Sequence, residues 1–112
     1  MDVVTAFQIL GLNRIEATVL AYLLKKREAY VIDVERGTGL RQPEVSLGLR
    51  GLKAMGVVEL KDGEKRARGV RGRPRKIVVL KTVEPILKIV EAKRDEVLEA
   101  YKVALDMLRR MS

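Results

Sequence analysis

Residues 38–60 read TGLRQPEVSLGLRGLKAMGVVEL, and the punctuation of this stretch decides the fold. Pro43 stands at a first helical position, where its missing N–H removes no hydrogen bond. From there Val45, Leu49, Leu52 and Met55 recur at steps of three and four, which places them on one helix face. Gly56 stops the run, so the spacing predicts a helix over 42–54. Just upstream, Asp33 can cap a brief helix over 34–38 that ends at Gly39. Short helix, Gly39-Leu40 turn and second helix together form a helix-turn-helix.

The surrounding sequence extends that unit on both sides. Residues 3–10 are a short apolar piece of one or two helical turns, broken by Gly11-Leu12-Asn13. Asn13 is a good N-cap, and Ile15, Ala17, Val19, Leu20, Leu23 and Leu24 follow at helical spacing, predicting a helix over 14–27. Lys25, Lys26 and Arg27 close its last turn, where cations suit the helix dipole. Tyr30-Val31-Ile32 is aromatic and β-branched and reads as a minimal strand. On the far side, residues 57–61 (VVELK) and 76–81 (KIVVLK) read as partner strands of a β-hairpin with a long tip. Thr82 can cap a final helix with Pro85 in its first turn. That helix has no further breaker. Val83, Val90, Val97, Ala104 and Met111 fall every seven residues along it, with Leu87, Tyr101 and Leu108 beside them and Lys93 and Arg94 interrupting the seam. Such a helix carries more apolar surface than a small domain can cover, which points to a dimer element; the bland reading is a helix folded back on its own domain.

The hairpin tip holds the charge. Residues 65–76 read KRARGVRGRPRK, seven cations and no acid, and residues 61–81 carry a net +7 of the formal +8 of the whole chain. An uncompensated basic finger makes nucleic-acid phosphate the leading partner, because Lys and Arg displace condensed counterions. Arg71, Arg73 and Arg75 alternate, so an extended wing would set them on one face, and Gly allows close backbone approach to a duplex.

Other chemistries find little footing. With 112 residues, no cysteine and no histidine, the chain lacks a disulfide framework, a thiolate site and the usual metal ligands, so no metal or other cofactor is expected. Ser46 and Ser112 are the only serines, no phosphate-binding glycine fingerprint occurs, and catalysis is not expected. Asp95, Glu96 and Glu99 most simply pair with Lys93, Arg94 and Lys102 on a helix surface. No apolar run reaches the roughly 18–20 residues that span a bilayer and the N-terminus has no secretory pattern, so no membrane association and a cytoplasmic location are expected. One asparagine, two glutamines and abundant Lys, Arg and Glu lean toward a thermophile source.

Three segments in order resemble the winged helix-turn-helix regulators of the TrmB-like and MarR-like families of archaea and bacteria. ILGLNRIEATVLAYLLKK (9–26) is similar to the TrmB-like opening, with Glu16-Ala17 and Leu23-Leu24; residues 38–60 are similar to the turn, recognition helix and first wing strand; GRPRKIVVL (72–80) resembles the Gly-Arg-Pro return of the wing. The chain departs from the pattern at Glu44 and Leu47, where small hydroxyl or basic residues are common. Gly48 and Gly51 also thin the helix, at about 0.8–1 kcal/mol each against alanine. The sugar-binding domain of full-length TrmB-type regulators has no counterpart in these residues, so no sugar effector is expected.

The resemblance and the charge pattern together imply a mainly α protein with a small β-hairpin (α+β). Residues 1–81 would be a winged helix-turn-helix DNA-binding domain and residues 82–112 a C-terminal dimerisation helix. The recognition helix would present Arg41, Gln42, Pro43, Glu44, Ser46, Leu47 and Arg50 to double-stranded DNA. Arg41 and Arg50 suit guanine or phosphate, Gln42 suits adenine, and Glu44 either accepts from cytosine or repels phosphate. The wing would present Lys65, Arg66, Arg68, Arg71, Arg73, Arg75 and Lys76. The dimer seam would be Val83, Leu87, Val90, Val97, Tyr101, Ala104, Leu108 and Met111. The leading function is a homodimeric, sequence-specific transcriptional regulator. The alternatives are an architectural DNA binder with little sequence preference and a winged-helix module for RNA or protein.

Overall fold

A computed structural model of the chain describes residues 1–63 and 75–112. Five helices and three strands follow in the order α1 (Val3–Ile9), α2 (Arg14–Lys26), β1 (Glu28–Tyr30), α3 (Val31–Thr38), α4 (Gln42–Ala54), β2 (Val58–Asp62), β3 (Lys76–Leu80) and α5 (Glu84–Met111). The strands make one antiparallel sheet in the order β1-β3-β2, with Val58 opposite Leu80 and Tyr30 opposite Ile77. This is the expected winged helix-turn-helix with a small sheet and a long C-terminal helix.

Local signals explain where the elements begin. Asp2 caps α1 by accepting from the Thr5 N–H at 2.7 Å, and that bond holds its carboxyl below the ordinary aspartate range. Asn13 caps α2 reciprocally: its Oδ1 accepts from the Glu16 N–H at 2.8 Å, and Glu16 Oε1 accepts from the Asn13 N–H at 3.2 Å. Arg27 ends α2 at a positive φ of 69°, and its carbonyl accepts from the Leu80 N–H at 2.8 Å, tying the helix end to β3. The expected Thr82 cap is present one residue early: Thr82 Oγ1 accepts from the Glu84 N–H at 3.1 Å while Val83 occupies the N-cap position.

One local reading is corrected. Tyr30-Val31-Ile32 is not the first strand; the strand is Glu28–Tyr30, and Val31 and Ile32 open α3. Asp33 therefore lies inside the first turn instead of capping it. The reason is packing: a helix from Val31 puts half-buried Val31 and fully buried Val34 on one face toward the core, and that outweighs the β preference of two branched residues.

The core sits where α2, α3 and α4 meet the inner face of the sheet. Leu20, Leu23, Val34, Val45, Leu52 and Val78 are among its fully buried members, and Val4 and Phe7 of α1 close one side. Gly48 lets α4 approach α2 closely, since a Cβ there would lie 2.9 Å from Ile15 Cγ2. At the other end of the chain α5 leaves the core. Ile86 is its only buried residue, Val90 packs on the core edge, and every residue from 91 to 112 is exposed. The described chain is accordingly 79 Å long and only 23 by 20 Å across. Among the described residues, no helix is long and apolar enough to cross a membrane, and no group of His, Cys, Asp and Glu could hold a metal ion.

Candidate nucleic-acid interface

Burying Val45, Gly48, Leu49 and Leu52 of α4 turns the opposite side of the helix outward. Gln42, Ser46 and Arg50 follow at steps of four on that outer side and are exposed; Lys53, three residues further, continues the stripe. Arg41 is the N-cap of α4, and Pro43 and Leu47 are exposed beside the stripe, Leu47 at 57%. The helix-turn-helix thus brings together the recognition-helix residues expected from sequence.

Glu44 acquires a structural task that sequence did not reveal. Its Oε1 accepts from the Arg41 N–H at 3.0 Å, satisfying a donor at the start of α4, and its Oε2 lies 3.6 Å from the Arg14 guanidinium on α2. The carboxylate faces neighbours of its own domain at the edge of the exposed stripe.

The stripe borders a groove of about 490 Å³. Val31, Ile32, Leu49 and Leu60 give it an apolar floor, and Gln42, Ser46, Arg50 and Lys53 form one wall. Arg75 and Lys76, at the base of the wing, form the other. Arg75 lies over the Tyr30 ring at 5.7 Å from its centroid, a cation–π contact that ties the base of the wing to β1. Lys76 Nζ pairs with Asp62 across the hairpin. Among the described residues, four cations and the single acid Glu35 line the groove, so its field favours an anion. Lys65, Arg66, Arg68, Arg71 and Arg73 lie outside the described residues.

Two contributors escaped the sequence reading. Lys53 could have been found, because it sits three residues beyond Arg50 on the same helix face. The pairing of Tyr30 with Arg75 could not, because it joins residues 45 positions apart through the β1–β3 register. Of the expected seam on α5, Val90 packs partly on the core, while Val83, Leu87, Val97, Tyr101, Ala104, Leu108 and Met111 are exposed.

A helix-turn-helix beside a three-stranded wing sheet, with a cationic groove between recognition helix and wing base, defines a winged helix-turn-helix protein. Residues 7–85 match the family described as sugar-specific transcriptional regulator TrmB, and the chain belongs to that family. It is a DNA-binding regulator by that membership. Solved structures share the fold. A transcriptional regulator homologue from Pyrococcus horikoshii OT3 is 24% identical, with 94% of this chain and 92% of that chain covered at a TM-score of 0.54. BpsR of Bordetella bronchiseptica, whose DNA binding is regulated by 6-hydroxynicotinic acid, is 23% identical, with 97% and 89% covered at 0.56. The MarR family regulator NMB1585 of Neisseria meningitidis is 19% identical, with 87% and 68% covered at 0.53. No curated protein matches the chain.

Proposed function

We propose that the chain is a sequence-specific, double-stranded DNA-binding transcriptional regulator acting as a homodimer in the cytoplasm. The observation that carries this reading is the groove in which Gln42, Ser46, Arg50 and Lys53 of α4 face Arg75 and Lys76 of the wing base. A 13-residue helix is about 20 Å long and fits the major groove of B-DNA, with its N-terminal residues toward the base edges. Arg41 and Arg50 then reach guanine or phosphate, Gln42 reaches adenine, and Ser46 reaches a base or the backbone. The wing cations neutralise phosphates of the flanking duplex and set register without reading sequence.

Two copies joined through α5 present two recognition helices, and a two-fold axis in the protein calls for a palindromic operator. Occupying that operator blocks or assists polymerase.

The test is selection of genomic fragments in about 0.15 M salt with excess random competitor, followed by sequencing. The expected result is a palindrome with half-sites about ten base pairs apart, held roughly 10³-fold or more over random DNA. Retained DNA without a motif would replace this reading with the architectural one. In the same assay, alanine at Arg71, Arg73 and Arg75 is expected to weaken binding to all sequences and to flatten the salt dependence. Alanine at Gln42 or Arg50 is expected to change the preferred bases.

A further inference from the structure

α5 carries two different surfaces along its length. With Leu87, Arg94, Tyr101 and Leu108 in one row and Val83, Val90, Val97, Ala104 and Met111 in the other, a heptad frame runs through the whole helix. In the proximal half the positions flanking this seam are Glu84 and Glu91 on one side and Ile86 and Lys93 on the other, Ile86 being spent on the domain's own core, and Arg94 stands in the seam itself. In the distal half the flanks become apolar: Leu98 and Leu105 on one side, Ala100 and Met107 on the other. Four of every seven positions are then apolar and contiguous around the helix. A two-stranded coiled coil uses two, and a helix facing the core of a bundle uses about three. Leu98, Leu105 and Met107 are 50%, 48% and 56% exposed, so none of the described residues covers this arc.

We propose that residues 97–111 form the core helix of a four-helix bundle assembled from four copies of this chain, with neighbouring helices antiparallel. The proposal rests on the self-association of α5 and extends it from a pair to two pairs. Covering only the seam of one pair would leave the Leu98–Leu105 and Ala100–Met107 strips in water over about 22 Å of helix. A second pair buries both strips.

Charge and shape select the occupant and its direction. Asp95, Glu96 and Glu99 make the start of this segment acidic, whereas Lys102, Arg109 and Arg110 outweigh Asp106 at its end. Parallel copies would set like charge against like. Antiparallel copies aligned with Val97 opposite Leu108 bring Asp95 and Glu96 opposite Arg110 and Arg109, and place the large Tyr101 against the small Ala104. Asp95 is already paired with Arg94 at 3.2 Å and Asp106 with Arg110 at 2.9 Å within the helix, which leaves Glu96 and Arg109 as the freer pair between copies. Antiparallel neighbours carry their winged parts at opposite ends of the bundle, so each end presents the pair of DNA-binding surfaces of two diagonal copies, and the assembly can hold two operators at once.

Light scattering coupled to size exclusion measures the mass of the full chain directly. Four times the chain mass of 12.6 kDa is expected. Two times would overturn the bundle and leave the dimer reading intact, and the monomer mass would overturn both. Leu98→Glu with Leu105→Lys, charge-neutral in sum and outside the seam, is expected to halve the assembly, with an unchanged unfolding temperature of the winged part verifying that it still folds; a persisting tetramer would remove the flanks from the interface. Asp95→Lys with Glu96→Lys is expected to weaken assembly, and adding Arg109→Glu and Arg110→Glu to restore it. Restoration is peculiar to the antiparallel order, and its absence would overturn that order.

Discussion

α4 and α5 both carry apolar faces at helical spacing, and they place them in opposite ways. α4 buries Val45, Leu49 and Leu52 within its own chain and turns Gln42, Ser46, Arg50 and Lys53 outward. α5 buries Ile86 alone and leaves Val97, Leu98, Tyr101, Leu105 and Leu108 in water. A helix whose apolar face is matched inside the domain is held rigidly and can offer its polar side to a ligand. A helix whose apolar face is unmatched among the described residues is the element on which the proposed self-association rests. Under the proposed function, the contrast separates the element assigned to DNA from the element assigned to assembly.

The largest test of that contrast compares truncations of two leucines. Leu52 is fully buried, and Leu52→Ala is expected to destabilise the winged part by about 2–5 kcal/mol through lost burial and a residual cavity. Leu108 is 66% exposed, and Leu108→Ala is expected to leave unfolding unchanged in dilute protein while weakening self-association. Urea denaturation at two protein concentrations distinguishes the two effects, because only an assembly defect depends on concentration. A large concentration-independent loss at Leu108 would break the comparison.

A smaller effect separates two glycines on α4. Gly48→Ala improves helix propensity by about 0.8–1 kcal/mol, yet its Cβ would lie 2.9 Å from Ile15 Cγ2 and 3.3 Å from Val19 Cγ2. Overpacking of this kind costs about 1–3 kcal/mol, so a net loss on the order of 1 kcal/mol is expected. Gly51→Ala meets the Glu16 carboxylate instead, the far end of a flexible side chain, and is expected to be close to neutral. Equal effects at the two sites would mean that α2 and α4 are packed less tightly than described. Asn13→Ala removes the reciprocal cap of α2 and is expected to cost about 1 kcal/mol in the same denaturation assay.

The sequence was most legible where it is punctuated. Pro43 and Gly56 bracket α4, and its expected span of 42–54 is the observed one; Asn13 opens α2 in the same way. Legibility failed where a distant contact decided the outcome. Val31 and Ile32 favour a strand by local preference, and only the burial of Val34 against the core makes them helical. The glycines of α4 looked like weak points of the helix until α2 was seen lying across Gly48. At the candidate interface the stripe Gln42, Ser46, Arg50 was readable from periodicity. The groove it lines was not, because its opposite wall depends on the β1–β3 register that sets Tyr30 beneath Arg75.

The smallest expected effect falls on Glu44, at the edge between the buried and outer sides of α4. Glu44→Gln keeps an oxygen able to accept from the Arg41 N–H and removes only the charge facing Arg14, an exposed pair separated by 3.6 Å. Stability is therefore expected to fall by no more than about 0.5 kcal/mol. The effect on DNA is expected to run the other way, since a carboxylate at the end of α4 that approaches the duplex repels phosphate. Its removal should raise affinity for every sequence alike, most at low salt, where screening is weakest. Competition binding against a set of single-base operator variants decides the matter. Uniform strengthening means that Glu44 serves the helix start alone and that base reading lies with Gln42, Ser46 and Arg50. A change confined to one cytosine-bearing position would make Glu44 a reader, and the boundary between the structural and recognising sides of α4 would then run through that residue.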